Sequence, residues 1–442
     1  MQLFKHQSEA LNQTEDLNKV AYYLDMGLGK TFVGAEKMVR LSKRINLVVC
    51  QKSKVQDWRN HFAEYYKYDI SAYDLTDKKQ WNDFWENPCG FRYRVGIINY
   101  DLIFRRPQFK QLEDFTLMLD ESSLIQNEKT KRSKFILNLN PSNIILLSGT
   151  PTSGKYENLW TQIHLLGWTI SQDTYNKQYI NWKLIDDGSG IKHKIVDKDN
   201  PYKNVDRLKE KMRQHGAVFM KYEDAIKYYE DATDDDKLDL PEQTFITVNC
   251  GSSKEYKKFK KTSVINFVTD SREIELIGDS TLSKMLYLRM LCGQYNQEKL
   301  EAFKDLVEST NDRLIVFYNF NEELKQLKKI AEELERPVSE VNGHTKDLDA
   351  YEHEDNSITF IQYQAGSMGL NLQKANKIIY FTLPLMSEYF EQSKKRIHRI
   401  GQTNTCFYYL MICKNTIEED IYETLKMRKD FTDYLFVNNN EL

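Results

Sequence analysis

Gly27-Leu28-Gly29-Lys30-Thr31 places two glycines directly ahead of a lysine and a hydroxyl residue. Glycines at such positions let backbone N–H groups turn inward around phosphate oxygens. The lysine then reaches the β and γ phosphates, and the Thr31 hydroxyl holds Mg²⁺ at a helix N-terminus. A nucleoside triphosphate is the implied ligand, with Asp25, Met26 and Leu28 completing the loop. A strict phosphate-loop pattern opens on glycine where this chain has Leu24. A second signal is Asp120-Glu121 at the end of the apolar Leu117-Met118-Leu119. A strand would lift Asp120 to the sheet edge where ligands of open α/β sheets bind. There Asp120 joins the Mg²⁺ shell through water, and Glu121 orients or deprotonates the attacking water. A lone acidic pair is more often a solvated turn, and the phosphate loop earlier in the same lobe reverses that preference in favour of the metal reading. The third signal is Arg396 and Arg399, three apart. On a helix they share a face and reach one phosphate group, the alternative being a solvated cationic face. His398 between them reads as a satisfied polar residue.

Strands and helices must position these groups. The apolar run Ala21 to Leu24 precedes the glycine loop and a helical run, Phe32 to Leu41, follows it, the order a phosphate loop requires. Short β-branched runs recur at Leu47 to Cys50, Val95 to Ile98, Leu117 to Leu119 and Ile144 to Leu147, alternating with helical or polar stretches. That alternation predicts a parallel sheet with crossover helices. Ser148-Gly149-Thr150-Pro151 leaves the last of these strands as a turn. Between Trp168 and Leu240 the rhythm gives way to a charged, Tyr-rich stretch with a Gly188-Ser189-Gly190 turn and the acidic Asp234-Asp235-Asp236. A helical pattern runs from Glu255 to Gln294, and strands resume at Leu314 to Tyr318, Ile358 to Ile361, Ile378 to Phe381 and Phe407 to Ile412. The expectation is an α/β chain with lobe 1 over 1–167, a helical insertion and linker over 168–240, and lobe 2 over 241–442 with a helical insertion near 255–295.

At 442 residues the chain holds two or three domains. Lys and Arg total 62 against 65 acids, a formal charge of -3, so nucleic-acid binding must use a local patch. Cys50, Cys89, Cys250, Cys292, Cys406 and Cys413 form no C-x-x-C pair, which argues against zinc and for reduced thiols. The N-terminus has no apolar signal core, and no stretch approaches about 18 apolar residues. A soluble, cytoplasmic protein is expected.

Together these residues resemble the Swi/Snf-type family of superfamily-two helicase-like ATPases over nearly the whole chain. Leu3-Phe4-Lys5-His6-Gln7 is similar to the family's adenine-recognising glutamine motif, and Asp25 to Thr31 to its phosphate loop. Val48 to Trp58 and Ile98-Asn99-Tyr100 resemble the next two motifs, which line the nucleic-acid track. Asp120-Glu121 matches the metal and water acids, and Ser148-Gly149-Thr150-Pro151 with Leu159-Trp160 the coupling motif. Leu288-Arg289-Met290-Leu291-Cys292 looks like a helix leading into lobe 2. Leu314 to Phe320, Ala365-Gly366-Ser367-Met368-Gly369-Leu370-Asn371-Leu372 and Arg396-Ile397-His398-Arg399-Ile400-Gly401-Gln402 fit the lobe-two motifs. Thr416-Ile417-Glu418-Glu419 resembles the closing helix.

The resemblance implies two tandem RecA-like lobes, ATP and Mg²⁺ as cofactors, and a DNA-dependent ATPase that translocates on double-stranded DNA as a monomer. It implies that Gln7 reads adenine, that Gly369 lies beside the nucleotide, and that Arg396 and Arg399 are arginine fingers. Lys52, Ser53, Asn99, Tyr100, Gly366 and Ser367 are the implied nucleic-acid contacts. Ser122-Ser123 stands where the family has a small residue and histidine, so the link to the coupling motif differs here. Gln51 replaces a proline and Gly154 an asparagine. The chain's ends leave no room for a bromodomain, chromodomain or nuclease, so a bare bacterial or viral motor is expected rather than a chromatin remodeller. A strand-separating helicase and a weakly active scaffold of a defence or nuclease complex are the competing readings.

Overall fold

The short apolar runs form strands whose residues are almost all buried, as expected where helices cover both faces of a parallel sheet. The computed structural model describes residues 3–86, 92–186, 192–229, 240–269, 272–366, 370–399 and 401–436. It divides into two units, Met1–Leu238 with Arg428–Leu442, and Asp239–Met427.

The first unit carries β1 (Lys19–Leu24), β2 (Ile45–Cys50), β3 (Ile70–Asp74), β4 (Tyr93–Asn99), β5 (Phe115–Asp120), β6 (Asn143–Leu147), β7 (Trp182–Asp186), β8 (Lys192–Val196) and β9 (Ala217–Met220). One 7-stranded sheet has the order β3-β4-β2-β5-β6-β1-β9, and all its neighbours run parallel. Parallel neighbours need crossovers, which helices such as Lys30–Arg40 and Val55–Tyr65 supply. Because β5, β6 and β1 are adjacent, the segments leaving them are brought together at one edge of the sheet. Those segments are Asp120-Glu121, Ser148-Gly149 and the phosphate loop.

The second unit carries β10 (Gln243–Cys250), β11 (Val264–Thr269), β12 (Arg272–Ile277), β13 (Leu314–Tyr318), β14 (Val338–Val341), β15 (Lys346–Asp347), β16 (Ile358–Gln362), β17 (Lys377–Tyr380) and β18 (Cys406–Cys413). Its sheet has the order β10-β18-β17-β13-β16-β14-β15, parallel except for β15. Strand periodicity divides its core between two faces. Leu314, Val316 and Tyr318 pack with Phe303 and Leu327 on one side, and Ile315 and Phe317 with Ile378 and Tyr380 on the other.

Two stretches expected to be helical also hold antiparallel hairpins. Between the helices Gln172–Tyr179 and Val205–Gln214 lies the pair β7–β8, and β9 then joins the main sheet beside β1. Between the helices Lys254–Thr262 and Thr281–Cys292 lies β11–β12. The hairpin alternates in burial, with Ile265 and Leu276 in the core and Val264 and Ile277 facing outward, but because these outward residues are apolar too, the sequence there carries no apolar–polar alternation to mark it. The Gly188-Ser189-Gly190 turn, the Asp234 to Asp236 run and Cys89 lie outside the described residues. The remaining cysteines are buried thiols, and among the described residues no helix is long and apolar enough to cross a membrane.

Candidate nucleotide-binding and hydrolytic site

The phosphate loop leaves β1 and turns through Gly27 at φ +89° and Gly29 at φ +74°, a region that L side chains rarely adopt. Asp25 Oδ1 accepts from the Met26 N–H at 2.8 Å, which tightens the turn, and the helix Lys30–Arg40 starts directly after Gly29. Thr31 therefore lies in its first turn, half-buried. The Lys30 ammonium donates to the carbonyls of Leu24 at 2.9 Å and Asp25 at 3.2 Å. A side chain at Gly27 would meet nothing within 4 Å, so that face of the loop is open.

Gln7 packs against the same loop. As the third residue of the helix Lys5–Asn12 it reaches back to accept from the Phe4 N–H at 3.0 Å. Its Nε2 donates to Leu28 O at 3.2 Å. His6 makes a parallel contact, Nε2 to Leu28 O at 3.1 Å. A carbonyl only accepts, so Nε2 carries the proton and Nδ1 accepts from the Tyr229 hydroxyl at 3.0 Å. Burial pushes the His6 pKa down, which keeps the ring neutral. His6 was missed by sequence reasoning, its only signal being its place beside Gln7.

Asp120 ends β5, and Glu121 adopts a left-handed backbone, φ +56°, uncommon for a non-glycine and a recurrent feature of functional turns. The Trp58 indole donates to Asp120 Oδ2 at 2.8 Å. Burial pushes the Asp120 carboxyl up, and the Trp58 bond opposes that shift. The Glu121 carboxylate accepts from Ser148 Oγ at 3.4 Å. A Cβ on Gly149 would lie 3.3 Å from the Lys30 ammonium and 3.5 Å from Leu24 O, so the coupling motif rests against the phosphate loop. Lys30, Glu121, Ser148 and Gly149 are thus brought into one place.

Of the residues expected to contact nucleic acid, Lys52 and Ser53 are exposed on the 3-10 turn Lys52–Lys54. Gln51, at φ -68°, keeps a backbone that proline also adopts, so the replacement leaves the path of the chain intact. Asn99 and Tyr100 are buried, 4% and 2% exposed. The Tyr100 hydroxyl donates to Asp120 O at 2.9 Å and Glu121 O at 3.3 Å, so this side chain supports the acid turn. Gly154 sits at φ +73°, and a Cβ there would lie 2.4 Å from Arg428 Cβ and 2.5 Å from Arg428 O, so asparagine could not replace it without a shift of the Arg428 backbone.

In the second unit the helix Ser387–Lys394 ends before the arginines, which lie in the turns that follow rather than on a shared helix face. Ile397 between them is fully buried. Arg399 donates to the Asn371 side chain, and burial pulls its pKa below the usual guanidinium value. The His398 ring bonds Pro241 O at 3.0 Å, and Gln402 donates to Gln373 O and Ala375 O. Gly366 closes the short helix Tyr363–Gly366, while Ser367 and Gly369 lie outside the described residues.

The chain matches the SNF2-related domain over residues 23–299 and the helicase conserved C-terminal domain over 298–401. It is 22% identical over 460 residues to the putative ATP-dependent helicase/translocase YwqA of Bacillus subtilis, with 94% of this chain and 46% of that protein covered. It is 25% identical over 454 residues to the uncharacterized ATP-dependent helicase YqhH of the same bacterium, with 95% and 77% covered. To the ISWI chromatin-remodeling complex ATPase ISW1 of Saccharomyces cerevisiae it is 22% identical over 477 residues, with 97% and 40% covered. The chain therefore spans less than half the length of YwqA and ISW1. The solved SWI2/SNF2 ATPase core of Sulfolobus solfataricus in complex with dsDNA is similar at a TM-score of 0.43 and 18% identity, over 100% of this chain and 96% of that one. Since the SNF2-related match alone takes in more than half of its residues, the chain belongs to the SNF2-related family.

Proposed function

We propose that this chain is an ATP-driven motor that translocates on double-stranded DNA and remodels DNA structures or protein–DNA complexes in replication, recombination or repair. The observation that carries this reading is the convergence of Lys30, Glu121, Ser148 and Gly149 at adjoining strand ends. The residues fit ATP and Mg²⁺: the loop is open at Gly27, and Thr31 and Asp120 offer the hard oxygen donors that Mg²⁺ takes. Bound Mg²⁺ neutralises charge that develops on the phosphates. Lys30 holds the β and γ phosphates, Glu121 positions water and accepts its proton, and Gln7 offers its amide edge to adenine. Gly369 flanks the nucleotide, and Arg396 and Arg399 act as fingers, groups worth about 10³ to 10⁵ in rate in other phosphoryl-transfer enzymes.

Lys52, Ser53, Asn99, Tyr100, Gly366 and Ser367 are the proposed nucleic-acid contacts, made mainly to phosphates. Phosphate contact carries little sequence information and releases counterions, so stimulation should be sequence-tolerant and fall steeply with salt. ATPase assays with duplex DNA, single-stranded DNA and RNA, paired with triplex displacement, test the proposal. ATP-dependent triplex displacement is expected, and no stimulation by any nucleic acid would favour a scaffold. The strand-separating reading draws on the β7–β8 hairpin, whose Leu184 is 68% exposed. Efficient unwinding of a forked duplex without triplex displacement would establish that reading instead.

A further inference from the structure

Ser123 stands where the family has histidine, yet the acid turn and the coupling motif are joined here by a different side chain. Gln162, in the helix Trp160–Leu165, is fully buried. Its Oε1 accepts from Ser122 Oγ at 2.7 Å and from the Tyr23 hydroxyl at 3.0 Å. Its Nε2 donates to Pro151 O at 2.7 Å. The Pro151 carbonyl can only accept, and this fixes which end of the amide is nitrogen. Both acceptor directions of the amide and one of its two N–H donors thus point at a motif or at the strand that leads into the phosphate loop.

The contacts close a ring. Ser122 follows Glu121, whose carboxylate accepts from Ser148 Oγ at 3.4 Å. Ser148 leads through Gly149 and Thr150 to Pro151, and Pro151 returns through Gln162 to Ser122. A second amide braces the same carbonyl: Gln126 Nε2 lies 3.4 Å from Pro151 O and 3.1 Å from Ser153 Oγ. Asn158 holds Gln126 in turn, at 2.9 Å. Proline has no N–H, so its carbonyl is the only main-chain hydrogen-bonding handle at that position.

We propose that Gln162 is the positioning residue that couples the acid pair to the coupling motif in this chain, through Ser122 on one side and Pro151 on the other. The inference rests on the motor reading above. A displacement of Pro151 is transmitted to Ser122, and thence to the left-handed Glu121. No charge moves and no covalent bond changes, so the ring transmits position and performs no chemistry.

The test uses the full chain with Gln162→Leu, Ser122→Ala and the double variant, each checked by circular dichroism and thermal melting. Gln162→Leu and Ser122→Ala should each lower DNA-stimulated kcat about tenfold while basal turnover and KM for ATP change less than twofold. The double variant should be no worse than the worse single, because both break one chain of contacts. Tyr23→Phe removes a donor to the same oxygen without touching the acid turn and should keep stimulation. Wild-type stimulation in folded Gln162→Leu, or losses that multiply in the double variant, would overturn the proposal. Should Gln162→Leu not fold, Ser122→Ala alone decides. Hydrogen exchange with a non-hydrolysable ATP analogue and Mg²⁺ gives a readout independent of stimulation. In wild type, protection should appear over both 120–126 and 148–154, and in Gln162→Leu over 120–126 alone. A wild-type protein that DNA does not stimulate, together with this loss of protection in Gln162→Leu, would overturn the motor reading and support the relay. Protection identical in both proteins would overturn the relay.

Discussion

The indole of Trp58 donates to Asp120 Oδ2 at 2.8 Å, so the helix that follows the exposed Lys52–Ser53 turn is bonded to the acid assigned to the metal. Trp58→Phe keeps an aromatic ring and deletes the donor. A hydrogen bond to a charged group contributes about 1.5 kcal/mol or more, equivalent to about tenfold in rate or affinity. The half-saturating Mg²⁺ concentration of the ATPase should rise by about that factor, with stimulated turnover reduced at low Mg²⁺ and largely restored at high Mg²⁺. An unchanged Mg²⁺ titration would remove Trp58 from the site.

Lys30→Ala and Glu121→Gln should separate binding from hydrolysis. The first removes the charge that holds phosphate and should abolish binding of a fluorescent ATP analogue. The second keeps the shape of the side chain and loses only its basicity, so binding survives while phosphate release falls about 10² to 10⁴-fold. Neither side chain belongs to the apolar core, so both variants should melt near wild type. Near-normal turnover in Glu121→Gln would reassign the water-handling role.

Much of this was legible because parallel strands read as continuous apolar runs, and β2, β5, β6 and β13 fall where such runs stand. The β10 strand was not, since it lies at a sheet edge and alternates exposed with half-buried residues. The link of Trp58 to Asp120, and the whole role of Gln162, were invisible for another reason, although Trp58 closes a stretch that resembles a family motif. Their partners lie 62 and 40 residues away, and only the sheet order brings them together. The arginine pair misled in its local structure: spacing alone suggested a helix face, whereas the preceding helix stops at Lys394.

Lys299 and Glu418 form an ion pair at 2.6 Å, 0% and 3% exposed on their side chains. Burial pushes the Lys299 pKa down, and the Glu418 carboxylate bonded to it outweighs that, so the net shift is upward. Ligand atoms of Cys292, Cys413 and Glu418 lie within 4.8 Å of one another, as in a metal site. Both Glu418 oxygens already accept from Lys299, which occupies the place a cation would take. Lys299→Met strands a buried carboxylate and should destabilise the protein by about 3 kcal/mol or more. Lys299→Met with Glu418→Leu removes both charges and should recover much of that loss in urea unfolding. A double variant less stable than the single would contradict the stranded-charge account.

His61 gives the fold a dependence on acid. It is 8% exposed, set among Phe32, Trp58, Phe62 and Tyr65, and its Nε2 has no hydrogen-bond partner among the described residues. Burial drives its pKa down to about 4, against a weaker upward pull from Glu64. The unfolded chain's histidine titrates near 6.5, so as pH falls the unfolded state takes up a proton first. Stability is therefore whole above about pH 6.5 and declines as pH drops toward about 4, with a penalty approaching roughly 3 kcal/mol below both values. His61→Phe keeps the aromatic packing and removes the titration. Urea unfolding at pH 7 and pH 4.5 should show wild type losing about 2 kcal/mol more than His61→Phe over that interval. Equal losses in the two proteins would mean that the ring takes up its proton as readily inside the fold as outside it.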